Sequence, residues 1–174
     1  MLPEITYPDI MSEYGDKAAL IEGETVTVNV INPDGYNKIT VKIDGALEKT
    51  ITTMEDFVLE SCKPGLYEIE MSGSAKSSRT TFFVAQATCS YDSSTHMLTF
   101  SSSNAVPEAI YVFTATPTNK VVPFTDTDVQ AGQIDLSAYA DSAYKYAKVG
   151  FRCGEYGVAT WYSYDLHQWE AFNG

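Results

Sequence analysis

The stretch KPGLYEIEM, residues 63–71, decides the fold that this chain is expected to adopt. Pro64-Gly65 predicts a turn, because proline presets the first central torsion and glycine accepts the positive φ that follows. Strict alternation of apolar and acidic residues comes next, which is typical of a strand with one buried and one solvated face. The face predicted to be buried carries Tyr67, Ile69 and Met71, and the solvated face carries Glu68 and Glu70.

The rest of the first half predicts further short strands separated by turns. Asn32-Pro33-Asp34-Gly35 indicates a turn, and Asp44-Gly45 is a two-residue hairpin signal. Alternating or β-rich runs predict strands at residues 24–31, 39–43, 47–52, 57–59 and 79–84. About seven strands in about eighty residues is the spacing of a β-sandwich.

The pattern restarts after residues 85–87, which we take as a domain boundary. The segment Asp92-Ser93-Ser94-Thr95 predicts another hairpin turn. Strands are predicted at residues 88–91, 97–100, 109–116, 120–124, 134–136, 144–153 and 158–164. No helix is predicted, and residues 137–144 can form at most one helical turn.

Tyr67, directly after its turn, resembles the corner tyrosine of immunoglobulin-like sandwiches, whose hydroxyl bonds back to nearby backbone. With the strand at 144–151 in the matching late position, the two halves resemble tandem immunoglobulin-like modules. Such modules occur in bacterial surface proteins and in decoration and fibre proteins of tailed phages. The resemblance implies an all-β fold of two consecutive immunoglobulin-like or fibronectin-like antiparallel β-sandwiches, although the antibody-type Cys–Trp–Cys core is missing.

The predicted organisation is therefore an extended N-terminal arm at 1–16, a first sandwich at 17–86, and a second at 87–174 with an aromatic C-terminal tail. Residues 1–11 lack the basic region of a signal peptide, so we expect a chain made in the cytosol or one separated from its leader. No apolar run approaches the length of a membrane span, so membrane insertion is not expected.

Charge and side-chain chemistry narrow the class of function. The chain has 11 Lys plus Arg against 23 Asp plus Glu, a net charge of −12, which disfavours nucleic acid and anionic membrane surfaces as partners. His96 and His167 lack a second ligand at metal spacing, and no G-x-S-x-G elbow occurs. We therefore predict no catalytic residue, no metal and no cofactor, and a protein that is not an enzyme.

The sequence leaves two questions open, the state of the three cysteines and the role of one acidic segment. Cys62, Cys89 and Cys153 are odd in number and lack CxxC spacing, which predicts reduced thiols, with a Cys89–Cys153 bridge as the alternative. Asp126-Thr127-Asp128 resembles the start of a calcium loop, but the glycine and glutamate of an EF-hand are absent at positions six and twelve. A plain acidic loop is expected, and the alternative is a different calcium site that adds Asp92 or Asp135.

The best functional candidates are aromatic and apolar residues near the two ends of the chain. Trp161 and Tyr162 cannot both face one core, because successive strand residues point to opposite faces. Trp and Tyr dominate interface hot spots, so a contact with other subunits is predicted, the alternative being a tail that packs on its own domain. The predicted partner-binding residues are Leu2, Ile5, Tyr7, Ile10, Trp161, Tyr162, Tyr164, Trp169 and Phe172.

The function hypothesis is a non-enzymatic structural or interaction protein. Its specific form is an accessory, decoration-type component of a phage virion, located on the capsid surface and bound to other protein subunits of that assembly. The alternative is a bacterial cell-surface adhesin or a module that binds a surface glycan.

Overall fold

The computed structural model describes residues 7–114, 120–122, 125–139 and 144–171, and these residues form an all-β protein. Contacts divide the chain into two compact units, Met1–Ala18 with Gly23–Val84 and Ala19–Glu22 with Ala85–Gly174. The described strands form two three-stranded and two five-stranded sheets. The predicted fold class, antiparallel β-sandwiches, is confirmed, while the predicted domain ranges stay a prediction.

Eight strands are described from residue 7 to Ala85. These strands are β1 (Ile10–Ser12), β2 (Ala18–Ile21), β3 (Val26–Val30), β4 (Lys38–Ile43), β5 (Ala46–Ile51), β6 (Phe57–Leu59), β7 (Gly65–Ser72) and β8 (Ser77–Ala85). All lie in the first unit except that β2 continues into the second unit after Ala18 and β8 ends one residue inside it. One sheet has the order β1-β3-β6, and the other has the order β2-β8-β7-β4-β5. In the second sheet β7 is the central strand, with β4 and β8 antiparallel on either side.

The core of the first unit follows the period-two pattern. Alternate residues of each strand point inward, so the apolar member of each pair is removed from water. On β7, Tyr67, Ile69 and Met71 are buried while Glu70 is exposed, as the sequence predicts. The other strands of both sheets supply further core residues, including Val26, Val28, Ile39, Val41, Phe82 and Val84.

Tyr67 forms the predicted corner. Its side chain is 4% exposed, and its hydroxyl accepts a hydrogen bond of 2.9 Å from the backbone N–H of Lys63. The ring stacks on Phe82, with centroids 4.7 Å apart and planes 13° from parallel. Burial raises the pKa of the Tyr67 phenol to about 12, so the neutral form is the one that the folded state favours.

The hairpin between β4 and β5 holds the start of β7. Asp44 and Gly45 both have positive φ, 51° and 85°, as a two-residue hairpin turn requires. The Asp44 carboxylate accepts the Leu66 N–H at 2.9 Å, and the Leu66 carbonyl accepts the Asp44 N–H at 2.9 Å. A Cβ on Gly65 would lie 2.6 Å from this carboxylate, so the close approach needs glycine.

Residues 9–12, predicted as part of an extended arm, are joined to the first unit. Strand β1 pairs antiparallel with β3, and Ile10 is fully buried. The backbone of Asp9 accepts the Ile31 N–H at 2.7 Å, and its carboxylate accepts hydrogen bonds from Tyr36 and, at 3.0 Å, Asn32. The hydrogen bond from Tyr36 is the main cause that lowers the pKa of Asp9.

The described part of the second unit contains a further eight strands. They are β9 (Ala87–Asp92), β10 (Met97–Ser102), β11 (Val106–Thr114), β12 (Lys120–Val122), β13 (Gln133–Asp135), β14 (Tyr144–Arg152), β15 (Val158–Asp165) and β16 (Gln168–Ala171). The described strands form sheets of order β13-β10-β9 and β12-β11-β14-β15-β16. Single 3-10 turns occupy Ser137–Tyr139, where at most one helical turn was predicted, and Gly154–Tyr156.

The prediction that this unit has no helix, and that Asp126-Thr127-Asp128 is a plain acidic loop, is wrong. Residues Asp126–Ala131 form a short helix, α1. Thr125 caps it by accepting the Asp128 N–H at 3.1 Å, and the Asp128 carboxylate accepts the Thr125 N–H at 3.0 Å. Gly132 ends the helix in the left-handed conformation, at φ 68°. The sequence does carry these signals, since Thr-x-x-Asp followed by glycine is a capping box with a C-terminal stop.

Replacing the corner hydroxyl tests this part of the fold. We expect Tyr67→Phe to lower the free energy of unfolding by about 1–2 kcal/mol, because the Lys63 N–H loses its partner in a partly buried place. Urea denaturation followed by circular dichroism measures the change. Tyr7→Phe removes the same group from a side chain that is 69% exposed and is the matched control. Equal losses of unfolding free energy in the two variants would contradict a stabilising role of the hydrogen bond between Tyr67 and Lys63.

Candidate partner-binding surface

The aromatic residues of β15 divide between the two faces of the second unit's five-stranded sheet. Trp161 pairs with Val149 of β14, on the face that also holds buried Ala159 and Ser163. The Trp161 side chain is half-buried, and its indole N–H donates to the Ala87 carbonyl at 2.7 Å. Trp161 is therefore bound within its own unit.

Tyr162 and Tyr164 lie on the opposite face and form what we call the ring surface. Their rings meet edge to face, with centroids 4.6 Å apart and planes at 86°. Tyr164 is 65% exposed, whereas Tyr162 is half-buried. In the sheet register Tyr162 stands between Lys148 of β14 and Glu170 of β16. An edge-to-face pair is a favoured aromatic geometry, so the two rings support each other's position.

A recess of about 200 Å³ adjoins the ring surface at the β15–β16 hairpin. We call it the hairpin recess; its lining residues are Tyr164, Asp165, Gln168, Trp169 and Glu170. The Trp169 indole N–H donates to the Leu166 carbonyl at 2.9 Å, and the Asp165 carboxylate accepts the His167 N–H at 3.1 Å. Both bonds are local to the hairpin, so its turn fixes one aromatic and one acidic side chain of the recess.

The other predicted partner-binding residues have separate places. Tyr7 is 69% exposed and belongs to the first unit, whose core encloses Ile10. Leu2, Ile5 and Phe172 lie outside the described residues. Tyr162, Tyr164 and Trp169 thus belong to one hairpin, but Glu170 pairs with Tyr162 in the register, so Trp169 points to the face opposite the ring surface.

Sequence reasoning missed the polar half of the recess. Asp165, Gln168 and Glu170 were not predicted, and residues 168–171 were assigned to a tail when they form strand β16. The available signal was the alternation of Gln168, Trp169, Glu170 and Ala171 after a turn at Asp165. That run is short, and its partner strand becomes evident only from the register with β15.

The acidic residues considered as calcium ligands accept hydrogen bonds from neighbouring residues instead. Asp92 accepts hydrogen bonds from the backbone and hydroxyl of Ser94, and Asp135 accepts the Ser137 N–H at 2.8 Å. Hydrogen bonds from these serines lower the pKa of both carboxyl groups. Among the residues that the structure describes, no three His, Cys, Asp or Glu side chains form a group that could hold a metal ion.

The two histidines flank Tyr91. The Tyr91 hydroxyl lies 3.0 Å from Nδ1 of His96, and the His167 ring meets the Tyr91 ring edge to face at 5.5 Å. His96 has φ 60°, which fits its place at the end of the β9–β10 turn. These contacts give both histidines structural neighbours in the second unit.

The three cysteines are free thiols, so the structure contains no Cys89–Cys153 bridge. Burial is the first cause that raises the pKa of each thiol. A thiol with a raised pKa has little thiolate at neutral pH and reacts slowly. The prediction of reduced cysteines is confirmed.

Thiol titration measures this property directly. In the native protein at pH 8 we expect reaction with a disulfide reagent at least about tenfold slower than for a free thiol, because Cys62 and Cys153 are buried, Cys89 is half-buried, and the pKa of all three thiols is raised. After unfolding in guanidinium without reductant, all three cysteines should react, since all three are free. A titre of one thiol would show a bridge and contradict the structure.

Comparisons with known proteins find similar structures only at low sequence identity and low TM-score. No protein-family model and no curated protein sequence matches the chain. Similar solved structures include Sidekick-1 immunoglobulin domains 1–4, with 12% identity and a TM-score of 0.36, covering 91% of this chain and 44% of that one. Fibronectin(III)-like modules of Clostridium thermocellum CbhA have 10% identity and a TM-score of 0.32, covering 93% and 90% of the two chains.

A chimeric titin Z1Z2-Z1Z2 tandem is similar at 14% identity and a TM-score of 0.29, covering 82% of this chain and 90% of that one. The chain spans less than half the length of the Sidekick-1 structure. No helix in the described part of the chain is long and apolar enough to cross a membrane.

Proposed function

We propose that this chain is a structural or interaction protein that docks on a larger assembly through the ring surface of its second unit. The observation that carries the proposal is the exposure of Tyr164, 65%, beside Tyr162 on the outward face of a sheet. Tyrosine supplies a large contact area with few rotatable bonds, so its burial by a partner costs little conformational entropy.

The sheet behind the rings supports this role. Tyr162 and Tyr164 lie on β15, which is paired on both sides by β14 and β16. The opposite face of β14 and β15 is packed with Ala147, Val149, Phe151 and Ala159, all buried. Side chains on such a scaffold are held before a partner arrives, which lowers the cost of binding.

In its specific form, the proposal is an accessory protein on the capsid surface of a phage virion, bound to other protein subunits. The resemblance of the two sequence halves to modules of phage decoration proteins supports this form. The net charge of −12 supports a partner surface that is neutral or basic, because like charges would repel.

A second candidate is a bacterial cell-surface module that binds a glycan. The hairpin recess favours it, since the exposed Tyr164 lies beside the polar residues Gln168 and Glu170 in its lining. A glycan array probed with the chain and with Tyr164→Ala distinguishes the two candidates. Binding that the substitution removes would favour the glycan module, and signal at background would retire it.

Particle incorporation tests the first candidate. We expect the chain in density-purified virions, and we expect Tyr162→Ala with Tyr164→Ala to reduce its affinity by about tenfold or more, because two interface tyrosines are lost. Quantitative immunoblotting of particles gives the occupancy. Leu47→Ala, an exposed position on β5 of the first unit, is the control and should incorporate normally.

The double variant must also show the thermal unfolding midpoint of the parent, so that lost occupancy reports the surface rather than the fold. Normal occupancy of a folded double variant, or absence of the parent chain from particles, would contradict the proposal.

A further inference from the structure

The outermost strand of the first unit's five-stranded sheet, β5, is exposed along almost its whole length. It stands at the end of the order β2-β8-β7-β4-β5, and β4 is its pairing partner among the described strands. Residues 46–50 are all exposed, Leu47 is 59% exposed, and Ile51 is half-buried. A strand at the edge of a sheet presents backbone N–H and C=O groups to which another strand can pair.

The register of β5 is interrupted at Glu48. Lys49 of β5 pairs with Val41 of β4. The next pair is Leu47 with Lys42, so Glu48 is an extra residue on β5. Such a β-bulge bends the strand and breaks the regular spacing of its backbone groups. A second strand laid along the outer side of β5 therefore could not form an unbroken ladder across this point.

Lys49 lies on the side of the sheet that faces the core. Its partner Val41 is 1% exposed, and residues that pair across two strands point to the same face. Lys49 also lines a recess of about 440 Å³ in the first unit, together with the apolar or aromatic residues Ile43, Leu59 and Tyr67. Lys49 is exposed in spite of this position, because none of the described strands lies beyond β5.

A second copy of the chain that added its own β5 to this edge would change these surroundings. Two antiparallel β5 strands related by a twofold axis would join the two sheets into one. Lys49 would then lie within that sheet, on its core side, instead of at its edge. Removing an ammonium group from water without a partner costs free energy, so this position opposes the pairing.

We infer that the bulge at Glu48 and the core-side Lys49 together prevent β5 from pairing with a second copy of this chain. The bulge acts on the backbone ladder, and the lysine acts through the cost of burying its charge. The first unit can therefore keep an exposed edge strand without joining the sheets of neighbouring molecules. This device belongs to the first unit and does not depend on the ring surface.

Sedimentation of the whole chain over a range of concentrations tests the inference. The test variant combines Lys49→Val with deletion of Glu48, which gives β5 a regular register and an apolar core side. We expect its weight-average mass at the highest concentration to be about twice that of the parent, the mass of a dimer with twofold symmetry. Lys49→Val alone should associate measurably but less, because the bulge remains.

Amide hydrogen exchange locates the new contact. Outward-facing N–H groups of residues 46–51 should exchange at least about tenfold more slowly in the dimer, because they become paired. Thr50→Val is the matched control. Thr50 pairs with Thr40 and follows Lys49 directly, so its side chain lies on the opposite face. Thr50→Val adds apolar surface to the same strand and should leave the mass unchanged.

Three results would overturn the inference. The first is a combined variant with the thermal unfolding midpoint and the mass of the parent. The second is association without slower exchange in residues 46–51. The third is equal association of Thr50→Val, since added apolar surface alone would then be sufficient. If the combined variant does not fold, Lys49→Val alone decides, and an unchanged mass for that variant would contradict the role of the lysine.

Discussion

The bond from the Lys63 N–H to the Tyr67 hydroxyl is the constraint on which the first unit depends. It ties the segment before β7, with its bend at Pro64, to the strand that follows, and so fixes which residues of β7 point inward. A shift of one residue would turn Glu68 and Glu70 into the core, where a carboxylate without a partner is costly. Asp44 adds a second restraint at the same place, through its bond with Leu66.

Because β7 is the central strand of its sheet, its register also determines which residues of β4 and β8 lie beside its buried residues. Ile69 pairs with Val41 on β4 and with Thr80 on β8, and all three side chains are buried. The second unit repeats the logic with β14, where Val149 and Phe151 point inward between β11 and β15. The same alternation that points Trp161 to the face of buried Ala159 and Ser163 directs Tyr162 and Tyr164 to the other face, so the candidate surface is a consequence of the fold.

The sequence predicted what depends on local rules. The Asp44-Gly45 hairpin, the Asp92–Thr95 turn and the alternation on β7 each depend on a few adjacent residues, and the structure agrees. The corner bond also spans only four residues, which is why one tyrosine and one turn were sufficient to anticipate it.

What the sequence did not reveal depends on distant partners or on a short signal. Strand β1 has three residues and becomes a strand through β3, and β16 becomes one through β15. The helix α1 has six residues, too few for a helical period, so only its capping box at Thr125 and Asp128 could have identified it. The residues that line the hairpin recess lie on both sides of a turn, so only the folded hairpin shows that they are neighbours.

Amide hydrogen exchange at Lys63 tests the central claim most directly. This amide lies in the segment before β7, outside any strand, so without the corner it would exchange as fast as exposed loop amides. The account predicts that Lys63 exchanges as slowly as the paired amides of β7, because Tyr67 holds it in the folded state. Exchange at the rate of exposed amides such as Ser93, with β7 still protected, would contradict it.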